Sequence, residues 1–403
     1  MAKTNTNPEM RFAGFTEEWE EKGFERVFSN ISNNSLSREK LNYITGLAKN
    51  VHYGDILVKF NDVLDVKKVS LPYISDNATV EKLKKSILKD GDIIISDAAE
   101  DEIVGKCVEL YNVNEEIILA GLHTIAVRPE EKFARKFLGY YMNSNSYHDQ
   151  LLKLIQGTKV LSISKTAIKN TFIRHPQSIY EQKLIGNFFE NLDQLITEQQ
   201  QKHSKLKSLK KAMLNKMFPK QGQLVPEIRF KGFEGEWVEK EFRRIFNYER
   251  PDNYIVLSNE YSNKFKTPVL TANKAFILGY TFETRTFNET CIIFDDFTLD
   301  SKFVDFPFMV KSSALKILTI QNINTDYIRF AFFNLVNKKI EIMGHARHYI
   351  SVVQKTKVLV PTITEQILIG NYFKNLDELI QNHEVQIAKL QNIKKAFLAK
   401  MFI

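Results

Sequence analysis

The chain has 403 residues, 43% hydrophobic and 26% charged, which excludes an all-disordered chain and exceeds what one ordinary core holds. Its net charge of +8 favours polyanionic partners but does not separate nucleic acid from an acidic membrane surface. Two cysteines, Cys107 and Cys291, cannot build a disulfide framework or a four-thiolate metal site, so no bound metal and a reducing, cytoplasmic setting are expected.

In chain order, the polar start MAKTNTNPEM has no apolar signal core, and no run approaches the roughly 18 apolar residues of a membrane span. Phe12, Phe15 and Trp19 then lead to Phe24, Val27 and Phe28, read as a loop and short helix that pack the entrance of a module on its own core. Residues 29–174 form a first variable module, with strand-like runs at 54–60 (GDILVKF), 91–96, 107–111 and 124–127 and a helix over 132–155. Residues 181–217 lack proline and carry apolar residues at steps of three and four: Ile185, Phe188, Leu192, Leu195, Leu206, Leu209 and Met213. That spacing predicts one helix about 55 Å long.

The order then repeats. The segment 226–246 (PEIRFKGFEGEWVEKEFRRIF) matches 8–28 (PEMRFAGFTEEWEEKGFERVF) at 13 of 21 positions. A second module, 247–359, has strand-like runs at 276–280, 291–294, 308–311 and 314–318 and a helix over 325–343. Residues 365–402 match 181–218 without a gap at 21 of 38 positions, with Ile369, Tyr372, Leu376, Leu379, Leu390, Ile393 and Phe397 in the same register. Both stripes turn polar in the middle, at Gln199 and Lys202 and at His383 and Gln386. A long one-sided helix must bury its stripe, and the nearest partner for each is its copy. The expectation is an α+β protein with pseudo-twofold symmetry: variable modules over 1–175 and 221–360, and conserved helices over 176–220 and 361–403 pairing as an antiparallel coiled coil.

The RFxGFxxxW entrances at 11–19 and 229–237, the EQxLIGNxFxNLDxLI openings of both long helices and their KKAxLxKMF ends together resemble the specificity subunit of type I DNA restriction-modification systems, over essentially the whole chain from Pro8. The resemblance implies two target recognition domains and helical spacers that set the gap in a two-part double-stranded DNA target. It implies no catalysis by this chain. Two methyltransferase subunits and restriction-translocase subunits would be its partners, and S-adenosylmethionine, ATP and Mg would be bound by them.

A duplex is read mainly by side-chain donors and acceptors in the major groove. In the first module the candidates are Ser37, Arg38, Asn42, Asn50, His52 and Tyr53, with Gly157, Thr158 and Lys159 in the run QGTK. In the second they are Asn273, Lys274, Arg285, Thr286 and, in GHARHY, His345, Arg347, His348 and Tyr349. No Gly-rich cofactor loop, Asp/Asn-Pro-Pro-aromatic motif or P-loop occurs. The acidic run around Asp295, Asp296 and Asp300 reads as turn chemistry. A stand-alone DNA-modifying enzyme and a coiled-coil adaptor without sequence specificity are the alternatives. A methylation or cleavage assay and a competition between duplexes separate them.

Overall fold

In the computed structural model, which describes residues 7–272, 275–338 and 348–403 (backbone only at His348), the run Ile93–Ser96 is buried along its whole length. Successive side chains of a strand point to opposite faces. Ile93 and Ile95 accordingly join one core, with the aromatic residues around Phe137, while Ile94 joins another with Val51, Ile56 and Leu64. The strand is central to a sheet ordered Phe28–Ile31, Thr124–Pro129, Ile93–Ser96, Cys107–Tyr111 and Val63–Asp65, antiparallel except at the last pair. A four-stranded sheet, ordered Ile118–Ala120, Lys49–Val51, Tyr73–Ile74 and Leu41–Asn42, belongs to the same unit.

The chain divides into two compact units. Residues 1–200 with 385–403 make the first, and 201–384 make the second. The boundaries fall in the polar centres of the long helices, which run Ile179–Lys216 and Ile363–Lys400. The second unit repeats the sheet in shorter form, as Phe246–Glu249, Leu315–Ile320, Cys291–Asp295 and Ser301–Val304, all antiparallel. Again Ile292 and Phe294 face one core, Cys291 and Ile293 another.

Within each unit, the first half of one long helix lies antiparallel to the last half of the other. In the first unit Phe188 meets Phe397 at 4.9 Å and Phe189 stacks on Phe402 at 5.6 Å, ring centre to ring centre. In the second, Phe373 meets Phe218 at 6.1 Å. The KMF ends close each unit: Phe402 sits among Trp19, Phe137 and Tyr141, and Phe218 among Trp237 and Phe330. Met213 and Leu206 pack on the second core, and Leu390, Ile393 and Phe397 on the first.

The seam differs from the expected one. Leu195, Leu209 and Leu379 are exposed at 45%, 38% and 46%. Ile185, Phe189, Leu192 and Ile196 bury instead in the first unit, and Ile369, Phe373 and Leu376 in the second. The four-step from Leu192 stays on the core face, whereas the three-step to Leu195 turns off it. Phe188 and Tyr372 are at the edge, half-buried.

Two other expectations change. The run 54–60 is not a strand: Tyr53–Val58 is a helix capped by His52, whose ring accepts the Gly54 N–H at 3.2 Å, and Ile56 and Phe60 bury at i and i+4. The helix expected over 132–155 is two, Phe137–Met142 and Asn145–Leu152. Asn143 breaks them, its amide bonding the backbone N–H and C=O of Cys107 at 3.0 and 2.9 Å, a local alternative to helix continuation. The helix expected over 325–343 spans Ile328–Asn337 and ends at Lys338, whose backbone is extended; residues 339–343 lie outside the described residues.

The repeated motif letters each hold the frame. Glu181, fully buried, takes both arms of Arg11 at 2.6 and 2.9 Å, and Glu365 takes Arg229 at 2.7 and 2.8 Å. Gln182 accepts the Ala134 N–H and donates to Pro176 O, both at 2.9 Å. Gln366 likewise accepts from Tyr327 N and donates to Thr325 O and Pro361 O, each at 2.9 Å. A Cβ on Gly370 would stand 2.7 Å from the Tyr327 ring and 3.0 Å from Phe330 N, which is why glycine occupies this contact face.

One buried acid in the first unit is open to titration. Glu109 accepts the Gly139 N–H at 2.9 Å and the Lys136 N–H at 2.5 Å, but burial outweighs both and pushes its pKa up to about 7. The folded chain therefore keeps the proton where the unfolded chain, with an ordinary carboxyl near 4.5, has lost it. Its stabilising contribution is complete below the lower value and is lost as pH rises through the upper. Buried His175, its pKa lowered by burial, acts in the opposite sense, so the comparison must be with a variant. The Tm of the parent chain should fall relative to Glu109→Gln between about pH 5 and pH 8. Parallel profiles would show that the group does not titrate there.

Candidate nucleic-acid interface

Contacts link part of the candidate set of the first module: Arg38, His52 and Tyr53 and, through His123, Asp97 and the pairing of Leu161–Ser162 with Ala98–Ala99, the QGTK loop. Arg38 lies in the short helix Arg38–Lys40 and reaches Asp55 at 3.1 Å and the His52 ring at 3.3 Å. Burial would raise Asp55, but Lys59 and Arg38 hold it below its ordinary value, so the carboxylate stays charged. Half of the Arg38 side chain remains exposed. His52 is buried, and burial followed by Arg38 lowers its pKa, so at neutral pH its Nδ1 accepts and its Nε2 carries the proton. Tyr53 lies against His52 at 4.7 Å with the rings tilted by 35°, and meets His123 edge-on at 5.2 Å.

His123 escaped the sequence reading. It sits in the left-handed region (φ 54°), where non-glycine residues are uncommon, at the turn before Thr124–Pro129, and its Nδ1 lies 3.2 Å from Asp97. Burial raises the Asp97 carboxyl, with His123 opposing. Asn33 and Lys165, bonded to each other at 3.1 Å, are further polar residues here, and Asn33 also donates to Gly121 O at 3.2 Å. None had a local signal, because each depends on a neighbour distant in the chain.

The QGTK run forms the tip of a narrow loop closed by reciprocal backbone bonds between Gln156 and Ser162 at 2.9 and 2.8 Å. Gly157 has φ +115°, and a Cβ there would stand 2.1 Å from Val160 O, so only glycine makes this turn. Thr158 and Lys159 are exposed. The pairing of Leu161–Ser162 with Ala98–Ala99 ties the loop to the segment carrying Asp97.

Two candidates of this module do other work. Asn50 is fully buried and accepts from Asn34 at 2.7 Å beneath Gly121, so it supports the loop and does not present itself to a base. Asn42 has its carbonyl on the Ile44 and Thr45 N–H groups and its amide on Ser75, all at 2.9 Å, a turn-holding role. Ser37 is exposed and makes no capping bond.

In the second unit Arg285 is exposed, and Thr286 donates to Asn288 at 2.7 Å. Thr286 and Asn288 line an open groove of about 630 Å³ with Lys266, Tyr280 and Thr284. Glu283 anchors this loop by accepting the Leu257 and Ser258 N–H groups at 2.9 and 2.7 Å. Tyr349 is corrected: fully buried, it stacks on Tyr248 at 5.1 Å, a core position. Asn273, Lys274, His345, Arg347 and the side chain of His348 lie outside the described residues. Asp295 caps its own turn, accepting the Phe297 N–H at 3.0 Å and the Thr298 hydroxyl at 2.6 Å. Among the described residues no cluster of His, Cys, Asp and Glu is arranged to hold a metal, and no helix is long and apolar enough to cross a membrane.

Two sheet-bearing units, each closed by halves of two repeated long helices, define the class of fold. Residues 44–208 match the type I restriction modification DNA specificity domain. The chain is thus similar to type I restriction-modification specificity subunits, in sequence over parts of its length and in fold over nearly all of it. It is 38% identical over 136 residues to the Escherichia coli type I restriction enzyme EcoR124I/EcoR124II specificity subunit, a match covering 32% of this chain and a third (33%) of that protein. Identity to the putative type I restriction enzyme MjaX specificity subunit of Methanocaldococcus jannaschii is 24% over 362 residues, covering 83% and 82% of the two chains. The type I restriction-modification S subunit from M. genitalium shares the fold, with a TM-score of 0.66 at 16% identity over 98% of this chain and 99% of that one.

Proposed function

We propose that this chain is the non-catalytic specificity subunit of a type I restriction-modification enzyme, reading a two-part DNA target with one half-site per recognition module. The observation that carries this reading is the gathering of Arg38, His52, Tyr53 and His123 with the Thr158–Lys159 loop tip in the first module. These are polar groups of the kinds that read base edges, held on short helices and turns that flank the strands. Arg285, Thr286 and Lys266 are the corresponding readers of the second half-site. The paired helices set the gap, and two methyltransferase subunits with restriction-translocase subunits methylate adenine and cut DNA, using S-adenosylmethionine, ATP and Mg held on those partners. Binding follows salt, because phosphate contacts release counterions.

The test is to express the chain with its methyltransferase partner and map methylated adenines across a genome. A split motif should emerge. Arg38→Ala and His123→Ala should relax only one half of it, by about 1–3 kcal/mol per lost base contact, and Arg285→Ala only the other. An unsplit motif, or any one of these three variants altering both halves, would overturn the reading.

A further inference from the structure

The first unit carries a cavity of about 610 Å³ that the recognition loops do not use. It lies at the Pro129 end of the strand Thr124–Pro129, whereas His123 precedes the other end, about 20 Å away at roughly 3.4 Å per residue. Four exposed cations surround it: Lys89, Lys132, Arg135 and Lys183. The other two cations of the lining are already neutralised, Arg128 by Asp92 at 2.7 Å and Lys136 by Glu190 at 2.6 Å. Tyr111 and Phe133 are the aromatic residues of the lining, with Lys136 Nζ 4.3 Å over one face of the Tyr111 ring. Glu131 offers an acceptor: Oε2 takes Lys22 at 2.7 Å, while Oε1 makes no hydrogen bond and has the His175 ring nitrogen Nε2 3.9 Å away.

Comparison with the second unit shows that this is no by-product of the frame. Matching the repeat (Phe28 with Phe246) and carrying it through the strand registers places Phe303 where the first unit has Glu109. The shared bond to the helix glutamine, Ala134 N to Gln182 and Tyr327 N to Gln366, sets the helical equivalence. By it Lys132 becomes Thr325, Arg135 becomes Ile328 and Lys136 becomes Arg329. The long-helix repeat replaces Lys183 by Ile367. Arg329 stacks on Phe303 at 4.0 Å and pairs with Asp305 at 3.0 Å, a self-satisfied arrangement. The frame is common to both units, and the basic cavity is confined to one.

We infer that this cavity binds a nucleotide, a nucleoside di- or triphosphate whose phosphates meet the rim cations, whose base lies against Tyr111 and Phe133, and whose amino group donates to Glu131. The volume falls within the roughly 300–1,000 Å³ usual for small-molecule sites. Unpartnered cations suit phosphate oxygens, and a buried acceptor lacking a donor selects a ligand with an N–H over a bare anion. Every element comes from one unit, so the inference stands apart from the DNA reading.

Calorimetry on the purified full chain, in EDTA, would use ADP, ATP, adenosine and pyrophosphate as separate titrants. ADP and ATP should saturate a single site. The double variant Arg135→Ala, Lys183→Ala should weaken them by about tenfold or more, the loss expected for two charge-assisted contacts. Adenosine and pyrophosphate, each filling half the site, should bind far more weakly. Duplex affinity and Trp19 fluorescence of the variant should match the parent, showing an intact fold. Pyrophosphate binding as tightly as ADP would reduce the cavity to a general anion site and overturn the inference. No nucleotide binding, or binding indifferent to the variant, would also overturn it, as would a variant that lost only duplex affinity.

Discussion

Lys394→Met should lower the stability of the first unit by about 3–5 kcal/mol, the range for removing one partner of a buried ion pair. The equivalent Lys210→Met in the second unit should cost no more than about 1 kcal/mol, as for an exposed pair. Both lysines stand in the same KKA motif, and each meets the Asp of the NLD motif on the other helix, Asp193 or Asp377. Their surroundings differ. Lys394 is 16% exposed and also bonds Asp62 of the recognition module, with both carboxylates at 2.6 Å and the Tyr140 ring 5.2 Å away. Burial alone would push the ammonium's pKa down, yet the two carboxylates reverse this and raise it, so it remains charged. Lys210 likewise lies 5.3 Å over a ring, that of Phe333, but its partner Asp377 is 43% exposed, where water screens the pair. Single-tryptophan backgrounds separate the units, because Trp19 lies in the first core and Trp237 in the second. Denaturation of Lys394→Met followed by Trp19 should show the loss, and adding Asp62→Asn with Asp193→Asn should recover much of it. Equal losses at Lys394 and Lys210 would refute the argument.

That inequality marks the limit of what a sequence states. The repeats disclosed the two frames, the two long helices to within two residues of their ends, and the family likeness, because every repeated letter answers a local demand made twice: Glu181 and Glu365 for an arginine, Gly370 for a close approach, Phe218 and Phe402 for a core. Asp62 belongs to the variable module, so its call on Lys394 has no echo in the repeat. The run GDILVKF misled because three consecutive apolar residues fit a strand or a buried helix equally, and only the capping by His52 and the pair Ile56–Phe60 decide. The candidate interface was partly legible. Arg38, Tyr53 and the Gly157 turn could be picked out as polar or glycine-bearing loop residues. Exposure could not, which is why Asn50 and Tyr349 looked like readers while serving as support. His123 and Asp97 are brought together by pairing of Thr124–Pro129 with Ile93–Ser96, a long-range register no local pattern encodes.

Arg11→Ala and Arg229→Ala should each destabilise their own unit by about 3–5 kcal/mol, because each strands a fully buried carboxylate, Glu181 or Glu365. The arginines join the entrance segments to the first turns of the long helices, so the loss falls on the junction of module and frame. Lysine should not rescue, since an ammonium cannot make the two parallel bonds that the guanidinium fork makes at 2.6 and 2.9 Å in one unit and 2.7 and 2.8 Å in the other. Removing both charges tests whether the stranded carboxylate is the cause: Arg11→Met with Glu181→Gln should cost less than Arg11→Ala alone, a coupling of about 1–3 kcal/mol in the double-mutant cycle. Strict additivity in that cycle would mean that Arg11 acts through packing of its stem and not through the pair. Single-tryptophan denaturation reads both units, so the two repeats supply the same experiment twice in different modules, and a loss seen in only one would show that the module, not the motif, sets the strength of the bond.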